Sequence, residues 1–343
     1  MNTIIDNNNN KSNDEDDSRM KRATSFVKFR DLIDLYDVFL LDQYGVLHNG
    51  GSEPLEGVIE CLTQLIQHKK HICINSNSPR SSKETFQKLV HSHGLSILSS
   101  TTTTTINVVT SGELLFRYIR QHYNNNDSNN NKKSLRCICF GWDDIQRNKQ
   151  LGTNHNIMTT INPNEADYIL VLGTGGIVDV QNGGTISLPS NMKVTGQLET
   201  ELIEILQIAT KRNLPMLVGN NDIMARSSSN RQKMNYCCGI IANNYHGPMI
   251  RFGKPSPLIF QECIQTIDIP PTPRICHVGD SLHHDIIGAQ NANIDSIFIA
   301  MTGIHANEIS SQKHEPQLQQ SLQTLFQQNN NIIPTYTAHS FQW

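Results

Sequence analysis

The stretch from residue 37 to residue 50, DVFLLDQYGVLHNG, decides how this chain is read. Four apolar residues, Val38, Phe39, Leu40 and Leu41, lead to a single carboxylate, Asp42. Gly45 follows three positions on, and then Val46, Leu47 and His48. A short, unbroken apolar run closed by a turn is the pattern of a strand buried on both faces. An acid at the end of such a strand stands where doubly wound sheets bind their ligands, beyond the carboxyl ends of the strands.

The same rhythm extends outward. Residues 56–68 carry Val58, Ile59, Leu62, Leu65 and Ile66 at helical spacing, and residues 71–75 (HICIN) read as a second strand. Residues 81–93 read as a helix, with Ser81, Ser82 and Glu84 supplying N-terminal cap chemistry. Towards the C-terminus come a helix at 258–266, a strand at 274–278 (RICHV), a helix at 285–291 and a strand at 296–300. Alternation of this kind predicts an α/β fold with a parallel sheet between helices. The middle of the chain has elements of its own: helices at 111–121 and 198–212, and strands at 135–140 and 168–172. They predict a second α/β unit inserted into the first.

The expected organisation is a disordered Asn/Asp-rich tail (1–22), a Rossmann-like core (23–106 and 218–310), an inserted cap (107–217) with an Asn-rich loop at 124–133, and a Gln/Asn-rich C-terminal segment (311–343). In that last segment Leu318, Leu322 and Leu325 space a short helix, with disorder expected beyond it.

The chain has 343 residues and a formal charge of −3, and its first twenty residues, with five acids and two bases, account for all of that charge. A neutral remainder argues against a nucleic-acid groove or a basic membrane face. No apolar run approaches the roughly 20 residues of a membrane helix. The eight cysteines include no CxxC pair and sit mostly in apolar runs, as reduced buried thiols do. The cytoplasm is the expected compartment.

Collected by strand end, the chemistry-bearing residues are Asp42 after the first strand, Ser76 and Asn77 (NSNSPR) after the second, Lys254 in FGKPSP, and Asp280 and Asp285 in GDSLHHD. Carboxylates at two strand ends suit Mg²⁺, which prefers hard oxygen ligands. A hydroxyl and an ammonium neutralise phosphate oxygens, and a carboxylate beside a metal serves as a nucleophile.

In this order, D-x-x-G-V-L, N-S-N, G-K-P and G-D-x-x-x-x-D, the motifs resemble those of the haloacid dehalogenase superfamily of phosphohydrolases. The insertion between serine and lysine, with VGNND (218–222) and GIIANNYHG (239–247), is similar to the C2-type cap of subclass IIA. The resemblance covers residues 36–305. It implies that Asp42 is the nucleophile and a metal ligand, with the Tyr44 carbonyl as a second ligand. Ser76 and the Asn77 N–H would hold phosphate, Lys254 would offset charge, and Asp280 and Asp285 would complete the Mg²⁺ site. Gln43 and Tyr44 fall beside the substrate. The implied substrate is a small phosphorylated metabolite, and dimers formed through the cap are common in the subclass.

The family pattern at the first motif is D-x-D, in which the second Asp moves protons. Here Tyr44 stands in its place, in DQYGVLH, which is similar to the D-x-W-G-V-L-H pattern of a branch of subclass IIA. A phenol of reference pKa about 10 is a poor base near neutrality. Three readings follow: a slow phosphatase using another group such as His48, a phosphoester-binding module, or an enzyme passing phosphoryl to an acceptor other than water. Of the other motifs, LGTGG (172–176) lacks the lysine of a P-loop and reads as a cap turn. GDSL (279–282) resembles a serine-esterase signature but comes too late in the chain and lacks its D-x-x-H partner.

Overall fold

The computed structural model describes residues 17–100, 106–123, 135–226, 234–268, 271–309 and 314–343. The loop expected at 124–133, and the tail over residues 1–16, lie outside these. In chain order the strands are β1 (Val38–Leu41), β2 (His71–Ser76), β3 (Ile106–Thr110), β4 (Arg136–Gly141), β5 (Met158–Thr159), β6 (Tyr168–Val171), β7 (Gly176–Asp179), β8 (Thr185–Pro189), β9 (Met216–Val218), β10 (Met224–Arg226), β11 (Met234–Tyr236), β12 (Met249–Arg251), β13 (Ile275–Gly279), β14 (Asp295–Ile299) and β15 (Tyr336–Ala338).

The chain divides into two compact units, one of Met1–Ile74, Leu89–Asn107 and Cys263–Trp343, the other of Asn75–Lys88 and Val108–Glu262. The first is built on a six-stranded sheet in the order β15-β14-β13-β1-β2-β3. β1 pairs in parallel with both β13 and β2, with Leu41 level with Val278 on one side and Ile74 on the other. From β1 the chain order runs outward in opposite directions, so the gap between β1 and β13 is a topological switch point. β1 is fully buried along its length, which is why its sequence is uniformly apolar rather than alternating. The doubly wound parallel sheet expected from the sequence is therefore present.

The C-terminal helix is present over Glu315–Gln328, and Leu318, Leu322 and Leu325 are its buried face against Phe298 and Ile286. Burial of each such side chain is worth about 1.5–3 kcal/mol. The disorder expected after it is corrected by the structure. β15 adds to β14 in parallel, and Ile332, Ile333, Ala338 and Phe341 are buried. Residues 17–24, most of them assigned to the tail from the sequence, are helical. Arg19 and Arg22 of that turn donate to the carbonyls of Ile333 and Thr335 at 3.0 and 3.1 Å, and Ala23 packs into the same core as the C-terminal helix.

The second unit carries a seven-stranded mixed sheet, β12-β9-β6-β4-β7-β8, with β5 on the edge of β4, and a separate β10-β11 hairpin. It continues past residue 217 to Glu262, because β12 pairs with β9 and so joins this sheet. Its core gathers Phe140, Ile169, Val171, Leu206, Met216 and Tyr245. All eight cysteines are free, and all but Cys237 are buried. No helix of the described residues is long and apolar enough to cross a membrane.

Candidate active site

In the first unit the acids converge at the switch point. Asp42 follows β1, and its N–H donates to the Val278 carbonyl at 2.8 Å, extending the ladder by one residue. Asp280 follows β13. Asp285 lies in the single π-helical turn Leu282–Ile286, a local widening of the helix often found at functional sites. Each of the three presents an oxygen within 4.8 Å of the others, and all three are buried. Three clustered carboxylates inside a protein are sustained only by a cation or by protonation. Hard oxygen donors of this kind fit a divalent ion such as Mg²⁺ and fit zinc or copper poorly, since neither nitrogen nor sulfur contributes.

The surroundings aim these carboxylates. The Ile304 N–H donates to Asp280 Oδ2 at 2.9 Å, and the Ser281 N–H to Asp285 Oδ2 at 2.9 Å. Asp285 Oδ1 lies 2.8 Å from His277 Nε2, a side chain in β13 with no exposed surface. Gly45 has φ +80°, and a Cβ there would fall 2.2 Å from Asp280 Oδ2. Gly303 approaches the same side chain, where a Cβ would meet Asp280 Cβ at 2.1 Å. Thr302 Oγ1 donates to the Gly45 carbonyl at 2.6 Å, tying the two glycine segments together.

Gln43 and Tyr44 lie in the turn between β1 and His48. The Gln43 carbonyl accepts from the N–H groups of Leu47 and His48 at 2.8 and 3.1 Å. The Tyr44 hydroxyl donates to the Asn49 carbonyl at 3.3 Å, and its ring meets His48 edge-on at 5.8 Å. His48 is buried, stacks on His93 at 3.9 Å, and accepts at Nδ1 from the Gly50 N–H at 2.9 Å.

The second unit holds the other candidates. Ser76 ends β2 and its hydroxyl accepts from the Ser78 N–H at 3.0 Å. Asn77 Oδ1 accepts from the Lys254 N–H at 2.6 Å, while its Nδ2 donates to Asp222 Oδ1 at 2.8 Å and to the Lys254 carbonyl at 3.2 Å. Asn221 Nδ2 also donates to the carbonyls of Gly253 and Lys254, at 2.9 and 3.0 Å. Lys254 itself is 2 % exposed. A buried lysine needs anionic company to keep its charge. Thus the two segments NSN and GKP are bound to each other through NND.

Sequence reasoning singled out Asp42, Ser76, Asn77, Lys254, Asp280 and Asp285, and missed His277, Asn221, Asp222, Gly303 and the Ile304 N–H. The only advance signal was N-N-D at a strand end. His277 looks like one more residue of an apolar strand. GDSL, read as something other than an esterase motif, is here a helix cap: Ser281 Oγ accepts from the His284 N–H at 3.3 Å.

A doubly wound sheet with a carboxylate triad at its switch point defines a class of protein that handles hard-metal and phosphoryl chemistry. Two family models match the chain: residues 39–182 match a haloacid dehalogenase-like hydrolase model, and residues 251–324 a second HAD-hydrolase-like one. The chain belongs to the haloacid dehalogenase-like hydrolases. It is 36 % identical over 75 residues to a 4-nitrophenylphosphatase of Schizosaccharomyces pombe, a match spanning 22 % of this chain and a quarter of the relative's length. A possible sugar phosphatase of Cytophaga hutchinsonii shares the fold with TM-score 0.62 at 18 % identity, over 93 % of this chain and 99 % of that one. A glycerol phosphate phosphatase of Mycobacterium tuberculosis, solved in complex with magnesium, does so with TM-score 0.53 at 18 % identity, over 90 % and 77 %.

Proposed function

We propose that the chain is a Mg²⁺-dependent phosphatase of a small phosphorylated metabolite, acting through an aspartyl-phosphate on Asp42. The observation that carries this reading is the buried triad of Asp42, Asp280 and Asp285 at the switch point. A bound Mg²⁺ would supply charge neutralisation for the phosphoryl group and keep Asp42 ionised. Asp42, the Tyr44 carbonyl, Asp280 and Asp285 are the groups proposed to hold it, with Asp285 fixed by His277. The phosphatase names among its relatives point the same way.

In this mechanism an Asp42 carboxylate oxygen attacks phosphorus, the P–O bond to the leaving group breaks, and the leaving oxygen takes a proton from solvent, to which the attacking water of the second step returns one. Water then attacks the aspartyl-phosphate, the acyl phosphate P–O bond breaks, and phosphate departs as Asp42 is regenerated. The Ser76 hydroxyl, the Asn77 N–H and the Lys254 ammonium are assigned to the phosphate oxygens. Gln43 and Tyr44 are assigned to the substrate. Tyr44 replaces a proton-transfer group worth about 10² to 10⁴ in rate, so turnover is expected to be slow. The domain roles follow from the resemblance: residues 23–106 and 218–310 form the catalytic core, and residues 107–217 form the cap that selects substrate.

The test is a screen of phosphomonoesters with purified protein and Mg²⁺, with Asp42→Asn alongside. Phosphate release by the native chain that is abolished by Asp42→Asn and by EDTA is expected. A native chain silent on every ester, and unimproved by Tyr44→Asp, overturns the reading.

A further inference from the structure

The second unit contains a cavity of about 440 Å³ whose lining includes Arg80, Trp142, Arg147, Lys193, Asn220 and Tyr236. Its size lies in the range that takes up a metabolite. Three of these six side chains are cationic.

Two acids, Asp143 and Asp144, line the cavity as well, and each has a partner. The Asp144 carboxylate accepts from the Arg147 backbone N–H at 3.1 Å, capping the helix Ile145–His155. Asp143 lies 3.7 Å from Lys193. Glu84, in the adjoining recess, accepts from the N–H and hydroxyl of Ser81 at 3.1 and 3.0 Å. Among the described residues neither Arg80 nor Arg147 has a carboxylate in ion-pair contact, and Arg147 Nη2 is buried with no hydrogen-bond partner. Burial, and then the like charge of Arg80, push the Arg147 guanidinium down to about 9, far below the usual range for arginine. Guanidiniums held in this way are stabilised by an arriving anion.

The arrangement is also rigid. The Arg147 guanidinium lies over the Trp142 ring, with Cζ 3.4 Å from its centroid. Asn148, fully buried, holds the Trp142 backbone at both ends: its Oδ1 accepts from the Trp142 N–H at 3.0 Å, and its Nδ2 donates to the Trp142 carbonyl at 2.8 Å. A stacked guanidinium keeps its N–H edge available for a planar or tetrahedral oxyanion. The cavity adjoins the phosphate-side residues of its own unit. Pro79 and Arg80 follow Ser76 and Asn77 in one loop, and Asn220 precedes Asn221 and Asp222, which hold Lys254 and Asn77.

We propose that this cavity is an anion subsite, in which Arg147 and Arg80 bind a carboxylate or second phosphate borne by the substrate away from the scissile ester. The substrate class is then a small phosphomonoester with a second anionic group. Assigning the anion to a substrate rests on the phosphatase reading; the existence of the subsite does not.

The chain has two tryptophans, so Trp343→Phe leaves Trp142 as a reporter within the cavity. In that background, emission is titrated with two matched pairs: 3-phosphoglycerate against glycerol 3-phosphate, and fructose 1,6-bisphosphate against fructose 6-phosphate. The first pair reads a carboxylate source and the second a phosphate source. We expect the doubly anionic member of at least one pair to saturate the signal at a tenfold or more lower concentration, and Arg147→Gln and Arg80→Gln each to remove that advantage. If Arg147→Gln does not fold, Arg80→Gln decides. The absence of any advantage in both pairs overturns the subsite, as does an advantage that survives substitution. Because equilibrium binding needs no turnover, a chain that binds but hydrolyses nothing sinks the phosphatase reading alone.

Discussion

His277 Nε2 lies 2.8 Å from Asp285 Oδ1, and both side chains are withdrawn from solvent. The imidazole fixes one carboxylate oxygen while the Ser281 N–H fixes the other. Partners that orient a ligating carboxylate typically matter 10- to 100-fold in metal affinity. His277→Leu is expected to raise the Mg²⁺ concentration for half-maximal activity by that factor, as read by a Mg²⁺ titration of the rate. An unchanged titration would show that Asp285 needs no orientation.

Tyr44→Asp restores a carboxylate two positions after Asp42. If proton transfer limits turnover, kcat should rise by about 10², with a smaller change in KM. A fall in kcat would mean that the Tyr44 phenol, hydrogen-bonded to the Asn49 carbonyl, already organises the turn for catalysis.

Gly45→Ala places a methyl group where Asp280 Oδ2 already lies, at φ +80°. A left-handed conformation costs a non-glycine residue about 1 kcal/mol or more, and the clash displaces a proposed metal ligand. Loss of Mg²⁺-dependent activity by more than tenfold is expected, with a lowered Tm. Retention of both would place the metal elsewhere.

Asn77→Ala removes the bonds from Asn77 to the Lys254 backbone and to Asp222. Leaving buried polar groups unsatisfied costs about 1–3 kcal/mol each. The denaturant midpoint should fall with the m-value unchanged. Asn77→Asp keeps the acceptor for the Lys254 N–H but sets a carboxylate against Asp222 Oδ1 and the Lys254 carbonyl, and should recover none of the loss.

The His155 ring stacks on Phe116 at 3.7 Å, and burial holds its pKa below the ordinary value of 6.5. Above that value both folded and unfolded forms are neutral and the stack contributes fully. As the pH falls below 6.5 the unfolded chain takes up the proton first, and stability is lost until the folded pKa is passed. His305 and His339 are lowered by burial in the same direction. Urea midpoints should therefore drop from pH 7.5 to pH 5.5, and His155→Phe should flatten part of that slope.

Much of the core site was legible because it obeys a local rule. Asp42 and Asp280 each follow a short apolar strand, Ser76 ends another, and Lys254 sits in the recognisable turn FGKPSP. What escaped is held by pairings remote in sequence. The Ile304 N–H reaches Asp280 from 24 positions away, and Asn77 reaches Lys254 from 177 positions away. The end of the chain was misread for a related reason. A Gln/Asn-rich composition suggested disorder, but β15 needs only three residues of ladder and four buried apolar side chains around it to stay in place.

Residues 19–27 and 333–337 are stitched together across more than 300 positions: Arg19 and Arg22 donate to the backbone of 333 and 335, Val27 N–H to Thr337 O, and Thr337 Oγ1 to Ala23 O. During synthesis, then, helix 17–24 and the open edge of β14 must wait for nearly the whole chain to emerge. The inserted unit, closed by residue 262, has all its own strands long before that. All the strands of that unit are therefore available to pair before β15, the outermost strand of the sheet that carries Asp42, has been made.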